Sequence, residues 1–144
     1  MSFLLDTNVI SEWIRPLPDP AIVSWLSRVD EERVFLSVAS LAEIRHGIEL
    51  LAPGFRRRLL ETWLAEDLPA RFEGRILDID PRVALLWGEV MTRGRRAGRP
   101  IGAMDAFFAA TAEVHALTLV TRNTRDFEAL GIGLLDPARH EEPG

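Results

Sequence analysis

The chain has 144 residues, 47% of them hydrophobic, which suits one domain with a single sizeable core, and no apolar run approaches the roughly 20 residues of a membrane span. It has no cysteine, so disulfides and thiolate metal sites are excluded and a reducing cytoplasm is the expected compartment. Acids outnumber bases 22 to 17, a net charge of −5, which argues against a passive basic nucleic-acid binder but not against an acidic site that reaches phosphates through metal ions.

The first stretch is the most informative. Phe3-Leu4-Leu5 reads as a strand buried on both faces, and it ends abruptly in Asp6-Thr7-Asn8, a carboxylate, a hydroxyl and an amide. With a strand read so early, no secretory leader is expected. Polar residues at a strand's carboxyl end stand where open α/β sheets bind ligands. The alternative is that Asp6 or Thr7 merely caps the helix expected over residues 9–14. Asp19 then reads as a helix cap with Pro20 at the first helical position, and Ile22, Trp25, Leu26 and Val29 fall on one face. Residues 34–36 read as the second strand. Ser37 opens a helix with the stripe Leu41, Ile44, Ile48 and Leu51, ended by Pro53-Gly54. An amphipathic helix beginning with Arg56-Arg57-Arg58 is expected over 55–68, and a third strand over 75–79. A long helix from Pro81 places Val83, Leu86, Trp87, Val90 and Met91 on its core face, and a basic loop follows over 93–100. The remaining elements are an apolar helix over 102–116, a strand over 117–121, a polar turn over 122–126 and a short last strand at Leu134-Leu135. The pattern predicts a single domain over 1–138 with a frayed tail over 139–144. Strands separated by helices imply a three-layer α/β fold on a mostly parallel sheet with right-handed crossovers.

Asp105 is the sharpest chemical signal. Phe108, Ala109 and Ala112 share its helical face, and Phe107, Thr111 and Val114 lie opposite, so the helix is apolar nearly all round and Asp105 is expected in the interior. A buried, unpaired carboxylate costs several kcal/mol or is forced neutral, so it needs a metal, an Arg or amide donors. A first-turn Asp that favours the helix N-terminus is the alternative. Glu43 sits about 120° from its helix's apolar stripe, as an ordinary boundary residue would. Ser40 to Glu43 also fits a capping box, although Ser37 is the better cap. Asn123 and Asp126 follow another strand, where Asx side chains often bond local backbone. Taken together, Asp6, Glu43, Asp105 and Asn123 or Asp126 form a constellation of acids with no base among them. Such a group suits a hard divalent cation with oxygen ligands, Mg²⁺ or Mn²⁺, and in-line attack of water on a phosphodiester. His46, His115 and His140 stand at no zinc spacing. Lys and Tyr are absent, which removes a Schiff-base lysine and a catalytic tyrosine, and no glycine-rich phosphate loop is present.

Four segments carry a resemblance over nearly the whole chain. L-L-D-T-N, A-S-L-A-E-I-R-H-G, I-G-A-M-D-A-F-F-A-A-T-A and L-V-T-R-N-T-R-D-F resemble, in order and spacing, the four motifs of PIN-domain proteins. They are most similar to the VapC-type toxins of toxin–antitoxin pairs, especially the FitB-like branch. The resemblance implies a metal-dependent endoribonuclease on a parallel, five-stranded sheet. Asp6, Glu43 and Asp105 match the family's metal-binding acids, with Mg²⁺ as the implied cofactor and Mn²⁺ as its substitute. Asn123 stands where the family has a fourth acid, and Asp126 in the same loop is the available replacement. RNA as substrate, a cognate antitoxin, a homodimer and no membrane are the implied partners. The Arg-rich segments 56–58 and 93–99 are candidates to track RNA phosphates. A phosphoaspartyl hydrolase is disfavoured because Asn8 stands where it needs a second Asp, and a receiver domain because it needs a Lys. A degenerate PIN domain that only binds a protein or RNA is the competing reading.

Overall fold

Every backbone group of Phe3-Leu4-Leu5 lies in the middle of a sheet, and all three side chains are fully buried. In the computed structural model, which describes residues 1–139, this strand, β1 (Phe3–Leu5), pairs in parallel with β2 (Val34–Ser37) on one side and β4 (Thr118–Val120) on the other. The outer strands β3 (Ile76–Leu77) and β5 (Leu134–Leu135) are also parallel, giving a five-stranded sheet in the order β3-β2-β1-β4-β5. Because side chains alternate across a strand, Phe3 and Leu5 enter one core and Leu4 the other. The first core packs under α2 (Pro20–Arg28), α3 (Val38–Glu49) and the continuous arm from α4 (Phe55–Thr62) to α5 (Leu68–Arg71), with Trp25, Ile44, Leu60 and Phe72. The second holds Val83, Val90, Phe108 and Ala112 of α6 (Pro81–Arg96) and α7 (Ala103–Val114). Helices on both faces of a parallel sheet make the three-layer α/β/α arrangement that the alternation predicts.

Caps set the helix starts where the sequence places them. Asp19 accepts from the Ala21 amide at 2.9 Å with Pro20 at the first helical position, and Asp80 accepts from the Val83 amide at 3.0 Å before Pro81. Ser37, not Ser40, caps α3 through the Ala39 amide at 3.0 Å. Several bounds differ from expectation. The first helix begins at Thr7 as the short α1 (Thr7–Ile10) and tightens into a 3₁₀ turn over Ser11–Trp13, where chain must turn toward Pro16. Leu51 falls beyond α3, exposed, and a π turn over Trp63–Asp67 carries α4 on into α5. The third strand contracts to two residues. Arg93, Arg95 and Arg96 belong to the last turn of α6, where they suit the helix C-terminus, so the basic loop is confined to 97–100. That loop folds back on the helix at Gly94, where a Cβ would stand 2.9 Å from the Arg99 carbonyl oxygen. The polar turn after β4 continues as a 3₁₀ helix, Thr124–Leu130, anchored by buried Phe127 and Leu130. No helix among the described residues is long and apolar enough to cross a membrane.

A candidate acidic active site

The strand order reverses direction between β1 and β4, and at such a switch point the adjacent strand ends leave a crevice. Asp6 follows β1 and Asn123 follows β4, so the sheet itself brings these two segments together. A cleft of about 320 Å³ opens there, lined by Asp6, Thr7, Glu43, Asp105, Asn123 and Asp126 with Asn8, Ser11 and Phe127. All five expected site residues therefore meet in one place, from four separate stretches of chain.

Asp6 forms the floor, 6% exposed. Its side chain makes no cap to α1; Oδ2 instead accepts from the Thr121 hydroxyl at 2.8 Å, across from β1 to β4. The Thr121 oxygen in turn accepts from the Asn8 side-chain amide at 3.4 Å and from the Asn123 backbone amide at 3.1 Å. One hydroxyl thus joins both strand ends. Burial pushes the Asp6 carboxyl above its ordinary value, the Thr121 hydrogen bond opposes that, and the charge of Glu43 adds to it.

Glu43 is half-buried on α3, and its Oε1 accepts from the Thr7 hydroxyl at 2.6 Å. Thr7 and the buried Ser40 hydroxyl lie 2.8 Å apart. Since the Thr7 proton goes to Glu43, Ser40 supplies the proton of this second bond, and a Ser–Thr–Glu chain fixes the carboxylate. Asp105 stands in the first turn of α7, half-buried rather than interior. It pairs with no cation and accepts no hydrogen bond among the described residues. Desolvation, then the charges of Asp6, Asp126 and Glu43, push its carboxyl up to about 6. Asp126 is exposed at the rim, but its charge reaches Asp105, whereas the Asn123 side chain caps nothing.

No Arg or His forms an ion pair with Asp6, Glu43, Asp105 or Asp126 among the described residues. The donors are all oxygens, the chemistry of a site for a hard cation. Among the described residues no three His, Asp or Glu side chains are placed to hold one metal ion directly. His46 is exposed and His115 half-buried, both away from the cleft, and His140 lies outside the described residues.

One residue of consequence escaped the sequence reading. Glu12, in the turn after α1, is 1% exposed, and its carboxylate receives Arg15 at 2.8 Å, the Asp19 amide at 2.9 Å and Arg122. Arg122 lies between Thr121 and Asn123, and its own amide donates to Asn8 Oδ1 at 3.3 Å. This buried ion pair straps the loop after β4 onto the turn after α1. The only sequence signal was an acid in an otherwise apolar segment, with nothing nearby to identify its distant partner.

Comparisons with known proteins identify the family. A family model described as the PIN domain matches residues 3–132. Toxin FitB of Neisseria gonorrhoeae is 40% identical, covering 93% of this chain and 96% of its own length. VapC ribonuclease Y4jK of Sinorhizobium fredii is 34% identical over the same shares. Among solved structures, FitAB bound to the IR36 DNA fragment matches with a TM-score of 0.92 at 37% identity, covering 97% of this chain and 98% of that one. With motif order, sheet topology and a family match in agreement over most of its length, the chain belongs to the PIN-domain family, on the branch that holds FitB and VapC.

Proposed function

We propose that this chain is a metal-dependent endoribonuclease, the toxin of a toxin–antitoxin pair, that hydrolyses RNA phosphodiester bonds in the Asp6–Glu43–Asp105 cleft. The observation that carries the reading is the convergence of four carboxylates, from four stretches of chain, with no ion-paired base among the described residues. The ribonuclease name of the Sinorhizobium relative supports the choice of RNA. Asp6 and Asp105 would be the principal ligands of Mg²⁺ or Mn²⁺, with Glu43 ligating directly or through water. The ion would acidify a water and offset charge building on the phosphate. The chain's own residues do the positioning. Thr121 holds Asp6 Oδ2, and the Ser40–Thr7 relay holds Glu43 Oε1, so neither carboxylate must be ordered when substrate arrives. Asp126 and Asn123 close the rim beside Asp105.

The same reading makes the protein a cytoplasmic homodimer silenced by a cognate antitoxin; a solved neighbour from Mycobacterium tuberculosis, described as a member of the VapBC family of toxin-antitoxin systems, supports the antitoxin. The test is cleavage of structured RNA by metal-stripped protein. Activity should return on addition of Mg²⁺ or Mn²⁺ and be lost in Asp105→Asn. Intact RNA with either ion, in the presence of well-folded protein, would leave the non-catalytic binding module as the function. The absence of a ready three-carboxylate cage among the described residues is what favours that second reading.

A further inference from the structure

Two more depressions adjoin the acid cleft. One, of about 520 Å³, shares Asn123 and Asp126 with it and is lined by Arg122, Arg125 and Arg139. The other, of about 380 Å³, shares Asp105 and Asp126 with it and begins at Arg99. The acid cleft is therefore continuous with an arginine-bearing depression on two sides. What separates these arginines from the other basic side chains is their place beside the acid cleft, since Arg58, Arg95 and Arg96 also lack a side-chain partner among the described residues. Arg56 donates to the Ile14 carbonyl, Arg57 pairs with Glu49 and Glu61, and Arg93 pairs with Glu113 and the Leu130 carbonyl. Arg122 is committed to buried Glu12. By contrast, the exposed Arg125 side chain has no partner among the described residues, and that of Arg139, 88% exposed, reaches only Asp136 at 3.7 Å. Arg99 keeps a long contact to Glu128 at 3.4 Å and donates to the Arg125 carbonyl at 2.5 Å.

We propose that a single-stranded segment of RNA crosses the acid cleft, with the phosphates flanking the scissile one held by Arg125 and Arg139 on one side and by Arg99 on the other. The proposal rests on the nuclease reading for the identity of the ligand. A single strand is favoured because Asp6 lies at the floor of a small cleft, where a phosphate must enter between walls, and only an unpaired backbone bends into such a space. Acid at the centre with arginines at both flanks also resolves how an acidic protein holds a polyanion: attraction acts on the neighbours of the phosphate to be cut.

The experiment is fluorescence-anisotropy binding of a labelled oligouridylate to the full chain in EDTA across a salt series, with KM and kcat for RNA cleavage read alongside. Arg125→Ala, Arg139→Ala and Arg99→Ala should each weaken binding several-fold and lower the log–log salt slope by roughly 0.7, with KM raised and kcat nearly unchanged. Arg99→Lys should retain most of the binding, because charge is what the phosphate needs; if it fails as Arg99→Ala does, Arg99 only positions the Arg125 carbonyl and that flank of the proposal falls. Arg58→Ala and Arg96→Ala should bind as the parent does. Loss of binding in those two with none at 99, 125 and 139 overturns the path. So does unaltered RNA binding at 99, 125 and 139 combined with weakened antitoxin binding, which would make the depressions a protein-docking surface. A parent that binds the oligonucleotide but never cleaves RNA removes the nuclease reading and leaves the path. A parent that cleaves, with all three variants like it, removes the path alone.

Discussion

Asp6 and Glu12 flank the same short helix, and both carboxylates are nearly buried, at 6% and 1% exposure, yet their surroundings are opposite. Glu12 receives two guanidinium groups and a backbone amide. Asp6 has the Thr121 hydroxyl and the backbone amides of Thr7 and Asn8 to favour its charge, but no guanidinium, and it faces the charges of Glu43 and Asp105. Burial alone therefore does not mark a functional acid here. What separates the two is the countercharge: a carboxylate already neutralised by the protein serves the fold, and one left without a cation serves a ligand that brings its own.

The comparison breaks first at Asp105. If the unneutralised acids bind a catalytic ion, Asp105→Asn lowers RNA cleavage by more than about a hundredfold, beyond what loss of an outer supporting group costs, while circular dichroism stays that of the parent. An Asp105→Asn protein with parental turnover would show that the cleft is not the active site.

Glu12→Gln should behave in the reverse way. Removing one partner from a buried pair costs roughly 3–5 kcal/mol when the other stays buried. Arg15 and Arg122 are 50% and 34% exposed and can turn toward water, so about 2 kcal/mol is expected, read as a lower urea midpoint. Activity should fall in proportion to the loosened loop around Asn123 rather than vanish. A Glu12→Gln protein of parental stability would mean that the strap carries no weight.

The pH dependence of stability sharpens the contrast further. Asp105 is raised from 3.8 to about 6 in the folded protein. As pH rises, the unfolded chain ionises first, so the folded state loses stability between those two values and carries the full penalty above the upper one. Metal-free Asp105→Asn should thus melt higher than the parent near pH 7.5, with the difference closing below about pH 4. Mg²⁺ should raise the parent's Tm more near pH 7.5 than near pH 5, where Asp105 largely keeps its proton. Equal Mg²⁺ shifts at both values would argue against a shared acid site.

The fold was legible because its signals are local. Phe3-Leu4-Leu5 carries burial on both faces in three letters, and Asp19-Pro20 and Asp80-Pro81 carry their caps next to the helices they start. Helix ends were read less well, since Arg93 to Arg96 suit a loop and a helix C-terminus equally by composition. In the site, Asp6 and Asp105 stood out as acids in apolar settings. Glu43 did not, because what distinguishes it is a hydroxyl relay to Thr7 and Ser40, and Thr7 lies on another element. Glu12 was hidden for the same reason: its partner Arg122 arrives from the far end of the chain, through the β1–β4 pairing.

The smallest expected effect concerns the rim. Asn123 and Asp126 both line the cleft, but only Asp126 brings a charge that acts on Asp105, and the contact that ties Asn123 to the site is its backbone amide on Thr121. Alanine at 123 keeps that amide, so Asn123→Ala should cost no more than about threefold in cleavage, much less than Asp105→Ala. Asp126→Ala removes an anion and should raise the Mn²⁺ concentration for half-maximal cleavage by roughly tenfold. Asn123→Asp adds an anion beside the first and should lower that concentration, since an amide can ligate only through its carbonyl oxygen and contributes no charge. The measurement is ribonuclease rate against Mn²⁺ for the four variants beside the parent. Should Asn123→Asp leave the curve unmoved while Asn123→Ala is as inactive as Asp105→Ala, the amide has a task of its own. The comparison would then need a third kind of polar residue: one that is neither neutralised nor anionic, yet indispensable.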